Sequence, residues 1–132
     1  MVGVTIDILR MLLPMHDIVR YDNSNQTITM RDGRKGAVWS YRQTQSASTC
    51  VAALEHLHGD SAVPAVWGAD MSGQQCGTPL VLADMPRGQV LAHAAPLLNT
   101  DQRYALGQQL GQIVARWHTT TFGGFGALHD AT

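Results

Sequence analysis

The side chains with chemical potential in this chain are a histidine pair at 56 and 58, two cysteines, an arginine at 42 and a polar turn around residue 24. His56 and His58 stand two apart in a stretch with helical spacing, so their imidazoles point to different faces, and a third metal ligand is missing. Cys50 and Cys76 show no C-x-x-C spacing; a disulfide framework is not indicated, and reduced thiols are expected. Cys50 has no cationic neighbour in sequence to favour its thiolate, so it reads as a small buried apolar residue. Arg42 stands next to last in the run AVWSYRQ. A guanidinium is a permanently charged, bidentate phosphate ligand, and on a strand it is equally a solvent-facing residue. In YDNSNQTITM, asparagine tolerates the left-handed geometry of a tight turn, while Asp22 places negative charge where an anion would sit.

The elements that must position these residues follow from periodicity. Ile6, Leu9, Met11, Leu12 and Leu13 mark a first helix, stopped by Pro14. Two short β-like runs, Asp17 to Tyr21 and Thr27 to Met30, precede the polar turn RDGRKG. With AVWSYRQ beyond it, the Asp32-Gly33 pair reads as the corner of an antiparallel hairpin. The polar segment TQSAST leads into a helix, CVAALEHLH, with Val51, Leu54 and Leu57 at helical spacing and Gly59 as its stop. Pro64 opens a fourth strand, AVWGAD; the loop MSGQQCGT follows, and PLVLADM is the most apolar strand candidate. Strands adjacent in sequence, with one helix inserted after the third, predict an α+β fold on an antiparallel sheet. A final helix is predicted from Asp101 to about His118, N-capped by Thr100, with Leu106, Leu110, Ile113, Val114 and Trp117 on one stripe. Gly107 and Gly111, four apart, permit close backbone approach and cost that helix about 1 kcal/mol each relative to alanine.

Composition narrows the function classes. At 132 residues, 45% hydrophobic and 14% charged, the chain can bury a core, and global disorder is not expected. A net charge of −1 with no basic run disfavours nucleic-acid binding, which needs clustered cations to neutralise phosphates. The apolar stretches are shorter than the roughly 20 residues that span a bilayer. The opening MVGVTIDILRMLLPMHD lacks a basic n-region, and Asp7 interrupts it. No membrane association and a cytoplasmic location are therefore expected.

From Ala62 onward the chain carries, in order, AVPAVWG, TPLVLADMPRGQVL, LGQQLGQIVARWH and FGGFGAL. That succession resembles the middle of the aminoglycoside phosphotransferase and choline kinase-like family of small-molecule kinases, from Val63 to Leu128 and more weakly before it. The resemblance implies a kinase-like small lobe over residues 1–92, about five antiparallel strands with one inserted helix. Residues 93–132 would be the start of a truncated helical large lobe. The family transfers the γ-phosphoryl of ATP or GTP to a small-molecule hydroxyl. Ser24 and Asn25 match its GGSN-like phosphate turn, with Asp22 and Asn23 in place of glycines. Arg42 falls at the phosphate-pairing lysine, with Ser40 on the same strand face. Matching CVAALEHL to the family's EAxVLxxL places Cys50 where the lysine's glutamate partner belongs, so that ion pair is expected to be absent; Glu55 falls on another face. In PLVLADMPRG, similar to the family's LLMEYLPG hinge, the segment Ala83, Asp84, Met85 and Arg87 would hold the base. The Asp84 carbonyl would face the adenine amine, and the Arg87 amide would substitute for the one Pro86 lacks. His118 would be structural, capping the last helix.

No HGD-like or HxD catalytic loop, downstream asparagine or second metal aspartate of the family's kind is expected in this chain. The resemblance thus implies the N-terminal portion of such a kinase, inactive alone, with no catalytic residue or metal ligand of its own; Mg²⁺ would need ligands from a second half. The alternatives are a non-catalytic lobe that binds a protein partner, or itself, through the helix 101–118, and an unrelated small α+β domain.

Overall fold

The computed structural model describes residues 3–86 and 88–119, in two compact units that divide after Met85. The first unit opens with helix α1, Ile6–Leu12, whose N-cap Thr5 accepts the Ile8 amide on its hydroxyl at 3.3 Å. Leu13 caps the other end ahead of Pro14, as the sequence predicts. The Arg10 guanidinium donates twice to the Ile18 carbonyl, at 3.2 and 3.1 Å, and so ties α1 to the first strand.

The strands are β1 (Ile18–Asp22), β2 (Thr27–Met30), β3 (Lys35–Ser40), β4 (Val66–Asp70) and β5 (Leu80–Asp84), with helix α2 (Thr44–His56) inserted after β3. They form one five-stranded sheet in the order β1-β2-β3-β5-β4, antiparallel throughout. This is the α+β architecture expected from the pattern. The predicted hairpin corner holds: the Asp32 carboxylate accepts the Arg34 amide at 3.0 Å, and Gly33 takes a φ of +90° that a side chain would resist.

Two boundaries depart from the sequence reading. β3 ends at Ser40 rather than running through Gln43; the Tyr41 amide still donates to Pro79, at 3.0 Å, and the chain then bends away. α2 starts at Thr44, so TQSAST lies inside the helix rather than before it. Tertiary contact overrides the indifferent propensity of Ser and Thr there. Ala47 is fully buried, and the Thr44 hydroxyl donates to the Met71 carbonyl at 3.0 Å.

Strand alternation divides the sheet into two faces. On one, Ile28, Met30, Val38, Leu80 and Leu82 meet Leu9 and Leu13 of α1, together with Ile18 and Cys76, in one buried cluster. Burying each large side chain of this kind stabilises by about 1.5–3 kcal/mol. On the other, Ala37, Val81 and Ala83 are buried, and α2 brings only the small Ala47 and Ala52 to full burial. A bulge between Val66 and Gly68 throws Trp67 across β5 onto Gly36, where any Cβ would overlap the indole ring.

The second unit holds a short helix α3 (Leu91–Ala94), a 3-10 turn (Ala95–Leu97) and helix α4 (Thr100–Trp117). The N-cap of α4 is Asn99, not Thr100. Asn99 and Gln102 form a reciprocal capping box, with the Gln102 amide donating to Asn99 at 2.8 Å and the Asn99 amide to Gln102 at 2.9 Å. No residue of α4 is buried; of its apolar stripe, Leu110 and Val114 are exposed and Leu106, Ile113 and Trp117 half-buried. Among the described residues no helix is long and apolar enough to cross a membrane.

Candidate binding cleft

Three elements of the first unit meet around an open cleft of about 440 Å³. The end of β3 contributes Trp39 and Ser40, the residue just beyond it is Tyr41, α2 contributes Cys50 and Leu54, and the β1–β2 turn contributes Gln26. Cys50 and Leu54 are four apart and so share one face of α2. Gln26 is placed by the sheet: its carbonyl accepts the Val38 amide at 3.0 Å, and its φ of +56° closes the turn. The left-handed position thus falls on Gln26, not on the asparagines that the sequence suggested. Burial first, and the neighbouring Cys50 side chain second, push the Tyr41 pKa up to about 12. Cys50 is half-buried and faces the cleft, which corrects its reading as a buried apolar residue.

The sequence-predicted site residues do not all converge here. Arg42 lies beyond the end of β3, exposed on the bend that enters α2, so it does not share a strand face with Ser40. What faces Cys50 across the cleft is Tyr41. Ser24 and Asn25 do occupy the β1–β2 turn, but Ser24 is committed internally: its amide and hydroxyl both donate to the Asp22 carboxylate, at 3.0 and 2.6 Å. Those two bonds, the hydroxyl's first, hold Asp22 below the usual carboxylate range, so the turn keeps its negative charge.

At the end of β5, Ala83 is fully buried. The amides of Asp84 and Met85 donate to Ala65 and Lys35, at 2.9 and 3.1 Å, and are not turned toward a ligand. Arg87 lies outside the described residues.

A tripeptide of the family's catalytic spelling does occur, upstream of that segment, and sequence reading passed over it: His58-Gly59-Asp60. It forms the turn that ends α2. Gly59 has a φ of +88°, His58 donates from Nδ1 to the Glu55 carbonyl at 2.8 Å, and the Asp60 carboxylate accepts the Ala62 amide at 2.9 Å. A helix terminus of this kind accounts for the spelling.

On the α1 face, a second cluster surrounds Trp67. Its indole N–H donates to the Asp84 carboxylate at 2.8 Å, His16 stacks on it at 5.1 Å, and the Arg34 guanidinium lies 5.9 Å from the ring centre. A cleft of about 370 Å³ beside it carries Arg31 and Arg34, but these pair with Asp17 at 2.6 Å and Asp32 at 2.9 Å. Its cations are therefore already matched. Among the described residues no group of three or more His, Cys, Asp or Glu side chains is arranged to hold a metal ion.

Trp39 and Tyr41 were not singled out by sequence reading, and Leu54 was read only as part of a helical stripe. The signal was present in part, as Cys50 and Leu54 at helical spacing and an aromatic pair at the end of a strand. Comparison of the chain with family models, with curated proteins and with solved structures returns no match.

Proposed function

We propose that this chain is the nucleotide-facing, N-terminal portion of a phosphotransferase of the aminoglycoside phosphotransferase and choline kinase-like type, inactive by itself. One observation carries the reading: the first hairpin turn, the end of the third strand and the following helix converge on a single cleft through Gln26, Tyr41 and Cys50. These are the three elements with which the resembling family handles its nucleotide. In this reading Arg42 steadies the phosphates of ATP or GTP from the bend beside the cleft, and the segment from Ala83 to Arg87 borders the base. Mg²⁺ and the hydroxyl substrate are handled by a second half. A low-charge chain with free thiols fits a cytoplasmic setting.

Three observations favour a second reading, a non-catalytic lobe that docks a protein partner or a second copy through α4. Ser24 is tied to Asp22, the Met85 amide is spent on Lys35, and Cys50 meets a phenol where the family pairs two charges. Thermal unfolding with and without millimolar Mg·ATP separates the two, since a ligand of the folded state must raise the midpoint by mass action. A rise that disappears in Arg42→Ala supports the first reading. A cooperative transition unmoved by nucleotide sinks it and leaves the second.

A further inference from the structure

The 370 Å³ cleft beside the Trp67 cluster is lined by two cations and two anions, Arg31 and Arg34 with Asp17 and Asp32. Their charges cancel, so a ligand with a single charge meets as much repulsion as attraction there, whereas one carrying both signs finds a partner for each. The Asp17–Arg31 pair is fixed by the backbone, since the Arg31 amide donates to the Asp17 carbonyl at 2.9 Å. The side chains then meet through Arg31 Nε and Asp17 Oδ2 at 2.6 Å. That bond leaves the two terminal nitrogens of Arg31 and the second carboxylate oxygen of Asp17 without a hydrogen-bond partner among the described residues. Arg34 likewise spends only Nε on Asp32, at 2.9 Å.

All four side chains are more than half exposed, and pairs so exposed hold together weakly, so sharing them with a ligand costs little. Met15 and Met30 add thioether surface that adapts to irregular apolar groups. His16 completes the lining and is held by its stack on Trp67 at 5.1 Å. The volume lies in the range of small-molecule sites, roughly 300–1,000 Å³. An α-amino acid carries its ammonium and carboxylate on one carbon, which complements opposite charges 2.6 Å apart. We infer that this cleft binds a free α-amino acid with an apolar side chain. The carboxylate takes the terminal nitrogens of Arg31 and Arg34, the ammonium takes Asp17, and the side chain lies over the methionines. This site uses none of the residues of the nucleotide reading and does not rest on it.

Leucine serves as the probe, with isoamylamine and isocaproate as the same molecule lacking its carboxylate or its ammonium. Each would be titrated into the intact, isotope-labelled chain and followed by amide NMR. Leucine is expected to move the amides of residues 15–17 and 30–34 along a saturable curve. Each truncated compound should bind about tenfold more weakly or worse, because one charge-assisted contact is missing. Arg31→Gln should weaken leucine about tenfold, and Arg31→Lys, which keeps the charge but not the fork, by less. The amide dispersion of each variant shows whether it folds. Isocaproate or isoamylamine binding as tightly as leucine would mean that one charge suffices, and would overturn the inference. So would shifts centred on other residues, or an Arg31→Gln variant that folds and binds leucine unchanged. The absence of saturable shifts with leucine, methionine and phenylalanine at tens of millimolar also sinks it, and leaves the nucleotide reading untouched.

Discussion

The two faces of one sheet are built on different principles. Against α1, Leu9 and Leu13 interlock with Leu80, Leu82, Val38 and Ile28, and the face is dry. Against α2 the buried helical residues are alanines, Ala47 and Ala52. Small side chains let the helix settle over Val81 and Ala83, yet they reach nothing farther along the sheet. Beyond them the face stays open, and Trp39, Tyr41, Cys50 and Leu54 border a cleft. The lesson is that a strand such as β3 can fill a core with Val38 and border an open cleft with Trp39, its very next residue.

This contrast can be broken most forcefully from the dry side. Leu9→Ala, at a fully buried position, is expected to cost about 2–5 kcal/mol, read from denaturant unfolding. Leu54→Ala, at the cleft wall, is expected to cost about 1 kcal/mol or less, because water can enter the space it leaves. Equal costs would mean that the α2 face is sealed after all.

Gly36→Val comes next, at about 1–3 kcal/mol, since the new side chain must displace Trp67. A second substitution, Trp67→Leu, should recover part of that loss, and its failure to do so would place the strain elsewhere. Trp67→Phe alone removes the donor to Asp84 and is expected to cost about 1 kcal/mol.

The smallest effect belongs to Cys50→Ala, within about 0.5 kcal/mol at neutral pH, because the Tyr41 hydroxyl can turn to solvent in an open cleft. The titration of Tyr41 sharpens this. Its pKa is raised in the folded state from 10.0 to about 12, so between those values the folded chain holds more protons than the unfolded one. The associated stability is present below the unfolded value and is lost as pH climbs through this window. Tyr41→Phe should flatten that decline. An ultraviolet titration in which every tyrosine ionises near its ordinary value would contradict the burial of this phenol.

Much of the fold was legible because it depends on local patterns. Period-two apolar runs marked the strands, the Asp32-Gly33 turn marked a hairpin, and the Leu9, Leu12 and Leu13 spacing marked α1. Boundaries failed where long-range contact decided them. Burial of Ala47 pulled TQSAST into α2, and the bend after Ser40 removed Arg42 from β3. The candidate site was less legible, because two of its members carry no chemical signal alone. Trp39 and Leu54 become informative only when α2 is laid beside β3.

The sequence by itself determined the class of the fold and its lack of a strong charge, since both follow from residue types and their period along the chain. Only the tertiary structure decided which polar groups remain available. Ser24 is spent on Asp22, Met85 on Lys35 and the Asp84 carboxylate on Trp67, whereas Gln26, Tyr41 and Cys50 meet at one opening. A hydrogen-bond donor has the same composition whether it is satisfied or free. Its partner is fixed by geometry between segments far apart in the chain, and that geometry is set by the packing of the whole sheet.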